Sequence, residues 1–219
     1  MTRLLPLVLL AAAVARAHDP VTTKLSFSKE IVRLFHRHCV ACHREGGAAP
    51  FALTSYAAAR PWAVAIKEEV LARRMPPWGA IHGFGQFKNE EGLSQEELHM
   101  IADWVEGGAP EGDPVFLPQD PKLPVPHAVA ERPGLIAAKR VKLERALVLH
   151  GLRPQSPPPD NTKLIARLPS GEIIPIIWFY GMTAKFLHPF WFRKPLRLPA
   201  GAELMLTGEV SVKLYTQPR

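Results

Sequence analysis

The sequence predicts two domains, an all-α domain followed by an all-β antiparallel sandwich. Apolar residues between Phe27 and Pro110 recur with the period of a helix. Six prolines then fall between Pro114 and Pro133, where almost no periodicity remains. Beyond Val141 the apolar period changes to two, which is typical of strands. The chain is 47% hydrophobic and 21% charged, an ordinary globular composition that excludes a wholly disordered protein.

These patterns divide the 219 residues into four segments. We expect a signal peptide at 1–17, a helical domain at 18–116, a proline-rich linker at 117–140 and a β-sandwich domain at 141–219.

The first segment has the three parts of a secretory signal. Arg3 is positively charged, Leu4–Ala15 is apolar apart from one proline, and Ala15-Arg16-Ala17 is an A-x-A cleavage site. The apolar run has 12 residues, whereas a membrane-spanning helix needs about 20. The sequence therefore predicts a periplasmic or secreted protein with no transmembrane segment after the signal is cleaved.

The charge balance is mildly basic. Lysine and arginine number 27 against 20 acidic residues, and cleavage would leave 25 against 20, a net charge of +5. This surface favours an acidic protein partner. The positive charge is too small and too scattered to predict nucleic-acid binding.

Three helices are predicted in the first domain. Ser28 can cap the first helix, and Pro61 can take the first turn of the second. Ser94 and Glu97 form a capping box that begins the third helix, and Gly107 ends it. Each predicted helix has residues that share one face: Ile31, Leu34, Phe35 and His38 on the first; Trp62, Ile66 and Val70 on the second; and Leu98, Ile101, Ala102 and Val105, which face inward, on the third.

Two features predict the β domain. The segments 163–168 and 172–179 flank Pro169-Ser170-Gly171, which is typical of a hairpin turn. Alternation then continues from Glu203 to Tyr215, which predicts one long strand.

One motif indicates the chemistry of the chain. Cys39-Val40-Ala41-Cys42-His43 is C-x-x-C-H, the attachment sequence of a c-type haem. Two thiols at this spacing can form thioethers to the two vinyl groups of the macrocycle, and the adjacent histidine can bind the iron. The motif therefore predicts one covalent haem held by Cys39 and Cys42, with His43 as an axial ligand.

Three other uses of the cysteines stay open. A redox dithiol usually follows a strand, whereas this motif ends a predicted helix. A zinc site would need two further ligands, and the chain contains no other cysteine. A disulfide between Cys39 and Cys42 in an exported protein is the strongest alternative.

The second axial ligand has four candidates. Met75 precedes two prolines and Trp78, so its loop loses little entropy when it folds. His82 lies in a glycine-rich loop and is second in preference. Met100 and His99 lie on the last predicted helix, where a core methionine and a solvated histidine are expected.

These motifs carry a resemblance to known families. Phe27 to Pro114 resembles a monohaem class I cytochrome c domain, chiefly in "HCVACHREGGAAPFALTSY" and "ARRMPPW". The resemblance implies that Cys39 and Cys42 hold haem, with His43 and Met75 as axial ligands.

The second half resembles part of the jelly roll of copper type II, ascorbate-dependent monooxygenases, in "LVLHGL" and "ARLPSGEIIPIIWF". Those enzymes bind copper through a His-x-His pair and a late methionine. Only His150 stands at the place of that pair, so we do not expect a copper site.

The predicted function is one-electron transfer between the haem and a redox protein partner. An iron with both axial positions filled has no open site for a substrate, which favours a carrier over an enzyme. Two alternatives are a haem-containing subunit or relative of a copper-dependent monooxygenase, and a haem-based sensor.

Overall fold

The computed structural model describes residues 23–88, 90–119 and 133–216. The predicted signal peptide and most of the predicted linker lie outside these residues.

Short helices form the first part of the chain. A single π-helical turn leads directly into the first helix, and a 3-10 turn joins the second helix to the third. In order, these elements are the π turn Phe27–Ile31, α1 (Val32–His38), α2 (Tyr56–Ala59), the 3-10 turn Arg60–Trp62, α3 (Ala63–Leu71) and α4 (Gln95–Glu106).

The aromatic residues of this helical part share one core. Phe27, Phe35 and Trp104 are at most 1% exposed, and their rings contact one another. Trp104 Nε1 donates to the carbonyl oxygen of Pro110 at 3.0 Å. The capping box predicted for α4 is confirmed, because the Ser94 and Glu97 side chains each accept from the other residue's backbone N–H.

Eight strands form two antiparallel sheets of four strands each. The sheet orders are β1-β8-β3-β6 and β2-β7-β4-β5, and both sheets contribute to one hydrophobic core. The strands are β1 (Leu135–Ala138), β2 (Arg140–Lys142), β3 (Leu147–Pro154), β4 (Lys163–Arg167), β5 (Ile173–Trp178), β6 (Phe190–Leu198), β7 (Glu203–Leu206) and β8 (Ser211–Tyr215).

The predicted hairpin is confirmed, whereas the predicted long strand is wrong. β4 and β5 pair in antiparallel register from Lys163↔Trp178 to Arg167↔Ile173. The segment Glu203 to Tyr215 is two strands, which belong to different sheets. The chain crosses between the sheets around Gly208, where a Cβ would collide with Thr162. Alternation alone does not reveal this crossing, because it continues on both sides of it.

The loop between α3 and α4 is built into the sheets. Ala80 pairs with Phe179 just beyond β5, and Phe87 pairs with Phe192 on β6. These two strands are edge strands of the two sheets, so the segment 78–88, which we call the strap, covers one side of the sandwich. Trp78 and Phe87 are 2% and 1% exposed and belong to the core of the sheets.

The predicted fold class, an all-α cytochrome domain followed by a separate all-β sandwich, is therefore wrong. The described chain has only short helices of 4 to 12 residues, besides two four-stranded antiparallel sheets. The physical reason is the strap, since its large aromatic side chains are buried between the sheets rather than among the helices. β1 and Arg140 of β2 also lie inside the range 117–140 that the sequence assigned to a linker.

Candidate functional site

The Cys39–His43 segment forms a compact turn directly after α1. Cys39 N–H donates to the Phe35 carbonyl at 2.8 Å, and His43 N–H donates to the Cys39 carbonyl at 2.9 Å. Helical hydrogen bonding thus continues for one turn past the helix. Val40 is fully buried and anchors the turn in the core. The structure therefore brings both cysteines and His43 together on one short, fixed segment.

The two cysteines are free thiols in the structure. Burial, together with the neighbouring Cys42 thiol, raises the pKa of Cys39 to about 12. An attacking thiol of a redox dithiol needs the opposite shift, toward a thiolate at neutral pH. Cys39 thus lacks the lowered pKa that is typical of an attacking thiol.

The ring of His43 is held in one tautomer. Its Nδ1 lies 3.1 Å from the carbonyl oxygen of Phe51, which can only accept a hydrogen bond, so Nδ1 carries the hydrogen. Burial lowers the pKa of His43, and the bond to Phe51 opposes this shift only in part. The neutral ring leaves its Nε2 lone pair available, which is the arrangement that metal-ligating histidines use.

An aromatic stack supports this ring. His43 and Phe51 have ring centroids 4.6 Å apart, and Phe51 stacks on Trp62 at 4.4 Å with an interplanar angle of 14°. Trp62 is 43% exposed, so the stack runs from the candidate ligand to the surface. Sequence reasoning did not identify Phe51, because a backbone carbonyl partner leaves no side-chain signature.

Met75 lies in the loop after α3. Its N–H donates to the carbonyl of Glu69 at 3.3 Å, and the side chain packs against the helical core. A two-point contact between the Arg74 guanidinium and the Glu69 carboxylate, at 2.8 and 2.9 Å, braces the same loop. The Met75–Pro76 peptide bond is cis.

The two favoured candidates for the second axial ligand line the same pocket. Met75, Trp78, His82 and Tyr180 all contribute to its wall. His82 is exposed, and its Nδ1 lies 3.0 Å from a carboxylate oxygen of Glu90. That carboxylate gives His82 a fixed partner, which the sequence did not reveal.

The other two candidates have ordinary roles. Met100 is half-buried on α4 and packs against the helical core, as expected for a core methionine. His99 is exposed, and its Nε2 lies 3.0 Å from the Gln95 amide nitrogen.

The described residues fit a haem in part. Trp78 Nε1 is a buried N–H with no acceptor within the described chain, and Trp78 lines the pocket beside Met75. A bound group with an acceptor oxygen would satisfy it. Two free thiols and a histidine with an available Nε2 are the residue types that covalent attachment and iron ligation require. The wall of the pocket does not include Cys39, Cys42 or His43, so the structure shows two half-sites rather than one closed cavity.

A copper site in the second half of the chain would have to use the histidines and methionines of the sheets. His150 is half-buried at a bulge of β3, and Met205 lies on β7 in the other sheet. Both ring nitrogens of His188 face backbone carbonyls. Within residues 23–88, 90–119 and 133–216, no three His, Cys, Asp or Glu side chains are grouped so that they could hold a metal ion.

None of the helices in the described chain has the length and hydrophobicity needed to span a bilayer. No protein-family model, no curated protein and no solved structure matches the sequence or the fold of this chain.

Proposed function

We propose that the protein binds one haem c through Cys39 and Cys42 and transfers single electrons to or from a partner protein. One observation carries this proposal. Two free thiols and a histidine whose Nδ1–H is bound to a carbonyl lie on a single turn of five residues.

Each side chain has a defined part in this function. Cys39 and Cys42 would fix the macrocycle, and His43 would bind the iron through Nε2. Met75 would supply the second iron ligand, because it is half-buried and lines a pocket with Trp78, whose N–H has no acceptor within the described chain. The haem would supply an iron that cycles between Fe(II) and Fe(III), and the thioether would favour Fe(II).

The context we propose follows from the sequence. A cleaved signal at 1–17 would place the protein in the periplasm or outside the cell, where thiols are attached to haem. The net charge of +5 that remains would favour a redox partner with an acidic docking surface.

The test is expression with periplasmic haem-attachment machinery, followed by mass spectrometry of the mature protein. We expect the mass of one added haem and a reversible one-electron titration. An unmodified mass would contradict the proposal.

A second candidate is a haem-based sensor, because Met75 and His82 line one pocket and either could bind the iron. A sensor must open one axial position to an external ligand. Rapid carbon monoxide binding by the reduced wild-type protein would favour the sensor, whereas resistance to carbon monoxide would favour the carrier.

A further inference from the structure

The strap fixes the residues that follow Met75 to the sheets. Trp78 packs edge-on against Phe87 and Phe190, with ring centroids 6.0 and 4.9 Å apart. Further along the strap, Lys88 N–H donates to the Trp191 carbonyl at 2.7 Å. The loop that carries Met75 is therefore followed directly by a segment that is packed and hydrogen-bonded to the sandwich.

The His188 side chain makes a polar contact to this loop. It lies between the 3-10 turn Ala184–Phe186 and β6, and its Nε2 is 2.9 Å from the carbonyl oxygen of Trp78. Its Nδ1 is 3.1 Å from the carbonyl of its neighbour Pro189. Both carbonyls can only accept, and the shorter distance, to Trp78, favours the tautomer in which Nε2 is the donor.

The imidazole ring of His188 also packs on the indole ring of Trp78. The rings of His188 and Trp78 are stacked at 4.9 Å with an interplanar angle of 29°, and His188 contacts Phe190 at 4.4 Å. One side chain thus fixes both the backbone and the side chain of Trp78.

A second contact secures the next residue. Tyr180 N–H donates to the carbonyl of Gly79 at 3.1 Å. Gly79 has a φ of +71°, and a Cβ there would lie 2.5 Å from Met182 Cε. The chain therefore passes against Met182 at a point that only glycine fits. The carbonyls of Trp78 and Gly79, three and four residues after Met75, are thus both bound by residues that flank β5 and β6.

We propose that His188 is a positioning residue for Met75, which it holds in place through Trp78. The inference rests on the proposed function of Met75 as a haem ligand. Met75 is bound on one side to Glu69 at the end of α3, and the loop is bound on the other side by His188. These two anchors restrict the positions that the Met75 thioether can take. A weak iron ligand that is held in place in this way loses less entropy when it binds.

The experiment compares His188→Leu with His188→Gln in the haem-loaded, full-length protein. Gln keeps an N–H donor for the Trp78 carbonyl, whereas Leu keeps apolar volume without a donor. We measure the covalent haem mass, the weak long-wavelength absorption band of the Met–Fe(III) bond, and the reduction potential. For His188→Leu we expect an unchanged haem mass, loss of most of the band and a lower potential. His188→Gln should retain most of the band.

Two controls separate positioning from stability. His150→Leu makes the same substitution at a half-buried site on β3, and Val212→Ala weakens the core of the sheets at a fully buried site on β8. Both should keep the wild-type band and potential. The inference is overturned if His188→Leu keeps them too, or if Val212→Ala at an equal loss of melting temperature changes them as much.

Hydrogen exchange gives a readout that does not need haem. In His188→Leu, peptides covering 74–80 should exchange about fivefold faster, the ratio that corresponds to one hydrogen bond of about 1 kcal/mol. Unchanged exchange in this segment would overturn the role of His188. A wild-type protein that carries no covalent haem would instead overturn the proposed function, and with it the role of Met75, while the exchange result would still decide whether His188 holds the loop.

Discussion

The two sides of the candidate haem site are held in different ways. His43 binds the carbonyl of Phe51, eight residues along the chain, so its geometry is set locally. The loop of Met75 is held through Trp78 by His188, which is 110 residues away. The first half-site needs only a turn and its neighbours, whereas the second needs the finished sandwich. Attachment and ligation should therefore respond differently to mutation.

The largest expected effect is the loss of covalent haem attachment at the Cys39–His43 turn. Replacing both cysteines, Cys39→Ala with Cys42→Ala, should abolish covalent attachment, because no other thiol exists in the chain. Mass spectrometry of the mature protein after expression with haem-attachment machinery measures this directly. Met75→Ala is the control and should keep the full haem mass. A double variant that still carries covalent haem would contradict the assignment.

Two tryptophans test whether the segment that follows Met75 is part of the core of the sandwich. Trp78→Ala should lower the free energy of unfolding by about 3–5 kcal/mol, because a buried aromatic leaves a cavity among the sheets. Trp62→Ala, at a 43% exposed residue, should cost about 1 kcal/mol through its lost stacking on Phe51. Urea titration of both variants measures the difference, and equal costs would show that the strap is not part of the core.

Removal of the proposed distal ligand should alter the spectrum without detaching the haem. Met75→Ala should make the iron high-spin or open to an external ligand, and its reduction potential should fall because the thioether favours Fe(II). Absorption spectroscopy and redox titration measure both effects. Met100→Ala and His82→Ala are the matched comparisons, and the assignment to Met75 is wrong if one of them has this effect and Met75→Ala does not.

The smallest expected effect concerns Glu97, which links α4 to the end of α1. Burial alone would raise its pKa, but the hydrogen bond from the Ser94 backbone and the His38 ring 3.1 Å away give a net lowering. A lowered folded-state pKa means that Glu97 stabilises the fold above its unfolded value near 4.5, and that this contribution is lost as the pH falls through the folded value.

The test is the melting temperature as a function of pH. Glu97→Gln should flatten the acid side of the curve relative to the wild type. Glu96→Gln, at an exposed residue on the same helical turn, should leave the curve unchanged. An unaltered acid limb in Glu97→Gln would show that the capping box does not contribute to pH-dependent stability.

Local chemistry in the sequence predicted the elements that depend on it. The capping box at Ser94 and the hairpin around 169–171 are both present, because each is specified by residues close together in the chain. The predicted fold class and the single strand from Glu203 to Tyr215 were wrong, because each depended on which core a segment enters. Nothing in the periodicity around Trp78 and Phe87 shows that these residues are buried between sheets formed about a hundred residues later.

The strap also affects the order in which parts of the chain can fold. Phe87 is synthesised about a hundred residues before Phe190, against which it packs at 5.3 Å. Until β5 and β6 have been made, Trp78 and Phe87 have no core to enter, whereas the Cys39–His43 turn already has its local partners. Contacts between residues this distant in sequence slow folding. On the proposed function, the cysteines would be available for haem attachment before the sandwich is complete, and the Met75 loop would close only when the last third of the chain has folded.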